Sequence, residues 1–242
     1  MQICDGEIFL QGGTKGILLI HGFGKTPKEL EGIAVDLNEA GFTVYCPVLP
    51  GHGTGKEGRV DPFDLFQTSP ADWIADAHRK FKAFKKEVED VFVGGLSIGA
   101  IIGLKIAEKE KVAGLLMWDT PLFYTNIVKV GVIAVKIVEM ILKRKGVTSI
   151  GIYHNIPLDK FEEIQEMIKD AQKVVKKIEA PILVLHSVDD DIAHPKSARF
   201  IYRNVKSKIK ELRWLKGMHG INEGETNPQI SNYIISFLKK IT

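Results

Sequence analysis

Residues 91 to 104 read Val-Phe-Val-Gly-Gly-Leu-Ser-Ile-Gly-Ala-Ile-Ile-Gly-Leu, a buried-strand run that turns through Gly95-x-Ser97-x-Gly99 straight into an apolar, helix-compatible stretch. No other feature constrains the fold as much, because a strand that breaks directly into a helix must pass through a cramped turn. Glycines two residues before and two after the serine leave room for that turn. The chemical consequence is a serine pushed into the open. An ordinary serine hydroxyl is a poor nucleophile, so an enzyme that uses one must hold it clear of the sheet and within reach of a base. Without such partners the pattern would be a glycine-rich loop carrying an incidental serine.

Short β-branched or apolar runs recur along the chain at Ile17 to Ile20, Phe42 to Cys46, Val91 to Gly94, Gly114 to Trp118, Ile182 to His186 and Lys210 to Leu215. Near-continuous apolar runs suit strands covered on both faces, so the predicted class is α/β, a mostly parallel sheet flanked by helices. Helical patterns separate the runs, over Pro27 to Ala40, Pro70 to Lys86, Ile98 to Lys109, Phe161 to Lys177, Lys196 to Asn204 and Gln229 to Lys239. Thr26 before Pro27 and Ser69 before Pro70 are start signals, since a proline at the first helical position sacrifices no hydrogen bond. The length and hydrophobic content predict one domain for 1–242.

One stretch breaks the alternation. Between Asp119 and Pro157 the chain runs for roughly forty residues before helix and strand resume, longer than an ordinary connection, and a cap inserted over the sheet at about 120–157 is expected. Within it Ile127 to Leu142 is apolar around most of a helix, with Lys129, Lys136, Glu139 and Lys143 confined to one side. Such a segment is either wrapped in core or divided between a packed face and one that lines an acyl pocket, touches lipid or meets a second subunit. On the pocket reading Ile127, Ile133 and Ile137 are the lining candidates.

A serine nucleophile needs a base, an orienting acid and donors for the oxyanion, and in a doubly wound sheet these gather beyond the carboxyl ends of the strands. Among the histidines, His219 follows the last predicted strand between two glycine-bearing turns, in Leu-Lys-Gly-Met-His-Gly, with no apolar periodicity to bury it. It is the candidate base. His78 lies within a polar helix and His154 within the expected cap, so both read as surface residues, and His194 precedes Pro195 at a helix start. The candidate acids are the adjacent Asp189, Asp190 and Asp191, with Asp119 competing because it too follows a strand. Spacing alone leaves that choice open. The backbone N–H of Ile98 opens a helix and offers one oxyanion donor, and the turn His21-Gly22-Phe23-Gly24 offers another.

Bulk properties exclude several classes. The 33 basic and 30 acidic residues give a mixed surface of net charge +3, without the basic stripe that nucleic acid requires. Cys4 and Cys46 form neither a disulfide framework nor a zinc-ligand spacing, so no metal or cofactor is implied and a reducing cytoplasm is the expected location. No uncharged apolar run reaches the roughly 18 residues of a membrane span. The expected partner is a small-molecule ester, handled by a monomer or homodimer, with contact at a lipid interface left open.

Leu-Leu-Ile-His-Gly-Phe at 18–23, Leu-Pro-Gly-His-Gly at 49–53, Gly-Gly-Leu-Ser-Ile-Gly around Ser97, and the order Ser97, Asp190, His219 together resemble the α/β-hydrolase superfamily. Within it the likeness is to small bacterial carboxylesterases and monoacylglycerol lipases, from about residue 16 to the end and weakest in the cap. The resemblance implies a serine hydrolase that cleaves short- to medium-chain acyl esters or monoacylglycerols through an acyl-enzyme. It selects Asp190 as the acid, since Ser187-Val188-Asp189-Asp190 stands where the family carries Gly-x-x-Asp, with Asp191 as second choice. It implies the Phe23 and Ile98 N–H groups as oxyanion donors, makes Gly51-His52-Gly53 a structural loop, and puts Lys25 where relatives carry a small or polar residue. Thioesterase and hydroxycinnamoyl esterase activities would use the same triad. A catalytically silent ligand-binding homologue is the reading from another class, against which stands a candidate for every triad member.

Overall fold

Odd and even residues of the central strands face two different helical layers, which is why those strands read as unbroken apolar runs. The computed structural model describes residues 2–4, 6–55, 59–126, 128, 158–220 and 228–242. The strands are β1 (Gln2–Cys4), β2 (Glu7–Leu10), β3 (Lys15–Ile20), β4 (Thr43–Cys46), β5 (Asp90–Leu96), β6 (Gly114–Trp118), β7 (Ile182–Ser187) and β8 (Lys210–Leu215). They form one sheet in the order β1-β2-β4-β3-β5-β6-β7-β8. From β4 to β8 all neighbours are parallel, and only β1 with β2 and β2 with β4 are antiparallel.

The helices are α1 (Glu31–Glu39), α2 (Pro62–Gln67), α3 (Pro70–Phe84), α4 (Ile98–Lys109), α5 (Leu158–Val175), α6 (Lys196–Asn204) and α7 (Pro228–Ile241). Leu18, Ile20, Val91, Val93, Leu115, Met117, Ile182 and Val184 pack against apolar residues of α3, α4, α5 and α6. Their alternates Ile17, Leu19, Phe92, Leu116, Trp118, Leu183 and Leu185 pack against α1 and α7. Both faces are therefore dry, and the α/β class expected from the sequence is the one observed. The cap expected at 120–157 falls, from 129 onward, outside the described residues.

Three local features differ from expectation for identifiable reasons. The hairpin of β1 and β2 precedes the first predicted strand; in β2 only Ile8 and Leu10 turn inward, too little apolar signal to register. The helix α2 is too short to show a period, although Asp61 caps it by accepting from the Phe63 N–H at 2.8 Å and Pro62 occupies its first turn. The segment Pro27–Leu30 winds as a 3₁₀ turn before α1 begins. By contrast α3 starts where expected, with a reciprocal capping box between Ser69 and Asp72.

The loop after β4 carries His52 under the turn that follows β3. The His52 ring lies 5.0 Å from that of His21, 5.5 Å from Trp73 and 6.1 Å from Phe23. His21 is tied at both nitrogens, to Gly22 O at 2.9 Å and to Leu49 N–H at 3.1 Å, so it is neutral. Burial, reinforced by His52, holds the His21 pKa well below its ordinary value, and burial pushes His52 down to about 4. As pH falls below about 6.5 the unfolded chain takes up protons that these folded rings refuse, so stability present at neutral pH is lost toward pH 4. For His52 alone the loss is roughly 3 kcal/mol once pH reaches its folded pKa. Thermal denaturation from pH 7.5 to 4.5 should show a falling Tm, and His52→Gln should lower the baseline Tm while making that slope shallower.

Candidate active site

The turn between β5 and α4 is fixed by backbone contact. A Cβ on Gly99 would stand 2.1 Å from Ile20 O, and one on Gly95 would stand 2.3 Å from the Gly99 carbonyl carbon, so neither position accepts a side chain. Between them Ser97 is held at φ +56, a conformation that costs a non-glycine residue about 1–3 kcal/mol. Its N–H donates to Trp118 O at 3.0 Å, anchoring the bend to the neighbouring strand. Its hydroxyl makes no capping bond to α4, which leaves it for another partner.

That partner is His219. Its Nε2 lies 3.0 Å from Ser97 Oγ, and its Nδ1 lies 2.7 Å from Asp190 Oδ2. A carboxylate can only accept here, so the proton sits on Nδ1 and the Nε2 lone pair faces the hydroxyl. The other oxygen of Asp190 accepts the N–H groups of Ile192 at 2.9 Å and Ala193 at 2.7 Å. Burial alone would lower the His219 pKa, but the hydrogen bond to Asp190 and the charges of Asp190, Asp119 and Asp191 outweigh it and raise it.

The remaining candidates separate cleanly. Asp189 is exposed, and Asp191 is half-buried with its carbonyl accepting from Thr125 Oγ1 at 2.5 Å. Asp119 lies buried behind the imidazole, where it accepts from Ser187 and from the Gly220 N–H. His78 pairs with Glu110 at 2.8 Å, and His194 Nδ1 accepts the Lys196 N–H at the start of α6. His52 is bound within its loop through Pro50 O at 2.9 Å. Lys25 is exposed, and His154 lies outside the described residues.

For the oxyanion, Ile98 is the first residue of α4, whose leading N–H groups have no intrahelical acceptor. Phe23 follows Gly22, whose N–H donates to the buried Glu29 carboxylate at 2.9 Å, and precedes Gly24 at φ +67. Glu29 thus braces this turn from below, a role that nothing in its helical position signals in the sequence. The pocket candidates Ile127, Ile133 and Ile137 lie outside the described residues. Among those described, Phe23, Phe66 and Tyr124 pack against the buried pair Val128 and Phe161. Tyr124 and Phe161 stack with ring centroids 5.5 Å apart.

Asp119, His186 and Asp190 bring possible ligand atoms within 4.8 Å of one another. The carboxylate oxygens of that group are already engaged by N–H and O–H donors from Ser187, Gly220, Ile192, Ala193 and His219. The group is a hydrogen-bonded floor to the site, and its donor set does not suit a metal. His186 was legible only as an imidazole misplaced in the apolar run of β7.

A family model described as the alpha/beta hydrolase family matches residues 17–149, more than half of the 242 residues. The chain belongs to the alpha/beta hydrolase family. A second model, described as serine aminopeptidase, S33, matches residues 152–225, the part that carries Asp190 and His219. The chain is 26% identical over 239 residues to a carboxylesterase of Bacillus subtilis (strain 168), covering 96% of this chain and 95% of that one. It is 26% identical over 221 residues to a thermostable monoacylglycerol lipase of Bacillus sp. (strain H-257), covering 88% and 85%. Among solved structures, metagenome-derived lipolytic enzymes superpose with TM-score 0.81 at 22% identity, covering 99% of this chain and 100% of the other. The monoacylglycerol lipase of Paleococcus ferrophilus superposes with TM-score 0.73 at 21% identity, covering 98% of each chain. These structural likenesses show the shared fold.

The tight approach at Gly99 yields a direct expectation. Gly99→Ala must push Ile20 O and the start of α4 apart, so folded protein, if recovered, should show a Tm lower by several degrees and slowed reaction of Ser97 with a fluorophosphonate. Gly103→Ala, whose Cβ would meet only Val93 at 3.2 Å, should lose much less on both readouts.

Proposed function

We propose that this protein hydrolyses carboxylic esters through an acyl-enzyme, with Ser97 as nucleophile, His219 as general base and then acid, and Asp190 as the group that orients the imidazole. The observation that carries this reading is the continuous chain from Asp190 Oδ2 through His219 to Ser97 Oγ, at 2.7 and 3.0 Å. Ser97 Oγ attacks the ester carbonyl as its proton passes to His219 Nε2. The tetrahedral oxyanion is received by the N–H groups of Phe23 and Ile98, each worth about 3 kcal/mol at such a site. Collapse expels the alcohol, which takes the proton from Nε2. Water then repeats the sequence on the acyl-Ser97 ester, releasing the acid and restoring the hydroxyl. Asp190 stays ionised throughout and stabilises the imidazolium.

The substrate class follows from the apolar cluster against which Phe23 packs. Phe66, Tyr124, Val128 and Phe161 offer apolar and aromatic contact, which suits an acyl chain better than a sugar or a charged peptide. The names of the two Bacillus relatives, carboxylesterase and monoacylglycerol lipase, point the same way, and our reading for this chain is short- to medium-chain acyl esters or monoacylglycerols. The match to the aminopeptidase model spans the acid and base, machinery common to any acyl transfer to water, so it leaves the apolar surroundings to decide. No helix among the described residues is long and apolar enough to cross a membrane. Cys46 is a buried free thiol, which accords with work in a reducing compartment such as the cytoplasm.

Hydrolysis of p-nitrophenyl butyrate by the Ser97→Ala variant should fall by at least about a thousandfold in kcat. Near-normal turnover by that variant would overturn the assignment. Attack requires neutral His219, and its pKa is raised above the ordinary 6.5. In the wild type kcat/KM should therefore hold at alkaline pH and drop about tenfold per unit below an inflection lying above pH 6.5.

A further inference from the structure

Among the described residues only Ser97 and Asp119 combine a side chain with positive φ, and both follow adjacent strands at one end of the sheet. Strain of this kind gathers where a side chain must be aimed. Ser97 is explained by the nucleophile turn, and Asp119, at φ +47 and 1% exposed, is explained by nothing in the reaction as written above. Its contacts show what it is aimed at. Asp119 Oδ1 accepts the Ser187 N–H at 2.7 Å, and Oδ2 accepts the Ser187 hydroxyl at 3.0 Å and the Gly220 N–H at 3.1 Å. Gly220 is the residue after His219, and Ser187 ends β7, three residues before Asp190. The Asp119 N–H completes the tie by donating to Leu185 O at 3.1 Å.

We propose that Asp119 is a positioning residue for this same site, clamping the His219 loop to the end of β7 and supplying a second negative charge that steadies the imidazolium formed during acyl transfer. The proposal rests on the ester-hydrolase reading of Ser97 and His219. Donors reach both oxygens of Asp119, which is the pattern of an ionised carboxylate. Burial and the Asp190 charge oppose that ionisation, raising the Asp119 pKa, while His219, His186 and the Ser187 N–H favour it. The groups that face His219 are Asp190 and Asp191 from the loop after β7, Asp119 from the end of β6, and Ser97 from the nucleophile turn. His186 stands below them, with Nδ1 3.9 Å from Asp119 Oδ1 and Nε2 3.8 Å from Asp190 Oδ2. Its Nε2 faces Ala193 O at 3.0 Å, which ties the ring to the loop that carries Asp190. The imidazolium thus forms against two buried carboxylates, one bonded to it directly and one bonded to the backbone beside it.

The test is Asp119→Asn, which keeps the residue type most tolerant of positive φ and an acceptor oxygen while removing the charge. Titration of His219 in ¹⁵N-histidine-labelled protein should place its pKa about one unit lower than in the wild type. In the same variant kcat should fall about tenfold, KM should stay within about twofold, and the acid limb of kcat/KM should move down with the imidazole pKa. Ser187→Ala, which removes a bond to Asp119 but leaves its charge, should lower Tm and leave the His219 pKa in place. An unchanged imidazole pKa in folded Asp119→Asn would overturn the proposal, as would an equal shift in Ser187→Ala. If Asp119→Asn does not fold, the wild type still decides: ¹³C spectra of its aspartate carboxyls must show Asp119 ionised at pH 7, and a protonated Asp119 would contradict it. The imidazole titration needs no turnover, so it separates failure of this inference from failure of the hydrolase reading, which Ser97→Ala tests alone.

Discussion

The contact of Gly99 with the backbone at Ile20 and His21 sets the geometry of everything around it. Because α4 begins hard against the carboxyl end of β3, with no space even for a methyl group, the chain leaving β5 has only one residue in which to turn, and that residue is Ser97. The same contact sets the turn that begins at His21 against the start of α4. One steric constraint therefore fixes the turn at Ser97, the candidate nucleophile, and packs it against the turn after β3. The cost is a strained φ at Ser97, offset by the two dry sheet faces that hold β3, β5 and α4 in register.

The other half of the site is electrostatic. Asp190, Asp119 and His186 are all essentially excluded from solvent, and two carboxylates in one buried group would repel each other severely if left bare. Peptide N–H groups resolve this. Ile192 and Ala193 serve Asp190, while Ser187 and Gly220 serve Asp119, and the loops that provide these donors also carry the acid and the histidine. Backbone donors cannot reorient independently of the fold, so the field at the imidazole is set before substrate arrives. The segment after β6 joins the same structure, since Tyr124 bridges to Ala193 and the Thr125 N–H donates to Ile192 O. Tyr124, stacked on Phe161, is thereby tied to the loop that carries Asp190.

Much of this was legible in the chain because each signal was local. The strand-turn-helix around Ser97, the dry runs of β3, β5, β6 and β7, and the capped start of α3 each express themselves within a few consecutive residues. What could not be read depends on contacts between distant residues. Asp119 and the aspartates after β7 both follow strands, and only the packed loops show that Asp190 meets the imidazole while Asp119 grips the backbone behind it. His186 looks like a strand residue, and Glu29 looks like an ordinary acid at a helix start, because neither a buried hydrogen bond nor its partner leaves a periodic trace. The hairpin of β1 and β2 escaped for a different reason, having too few inward positions to distinguish it from a loop. The apolar segment around Ile133 and Ile137 was read from periodicity alone and lies outside the described residues.

The account turns on a single nucleophile activated by a single imidazole, and covalent trapping tests that most directly. Wild-type protein treated with a fluorophosphonate, digested and mapped by mass spectrometry should carry one adduct, on the peptide containing Ser97, and the His219→Ala protein should acquire it far more slowly. An adduct on another residue, or none on folded protein, would contradict the account.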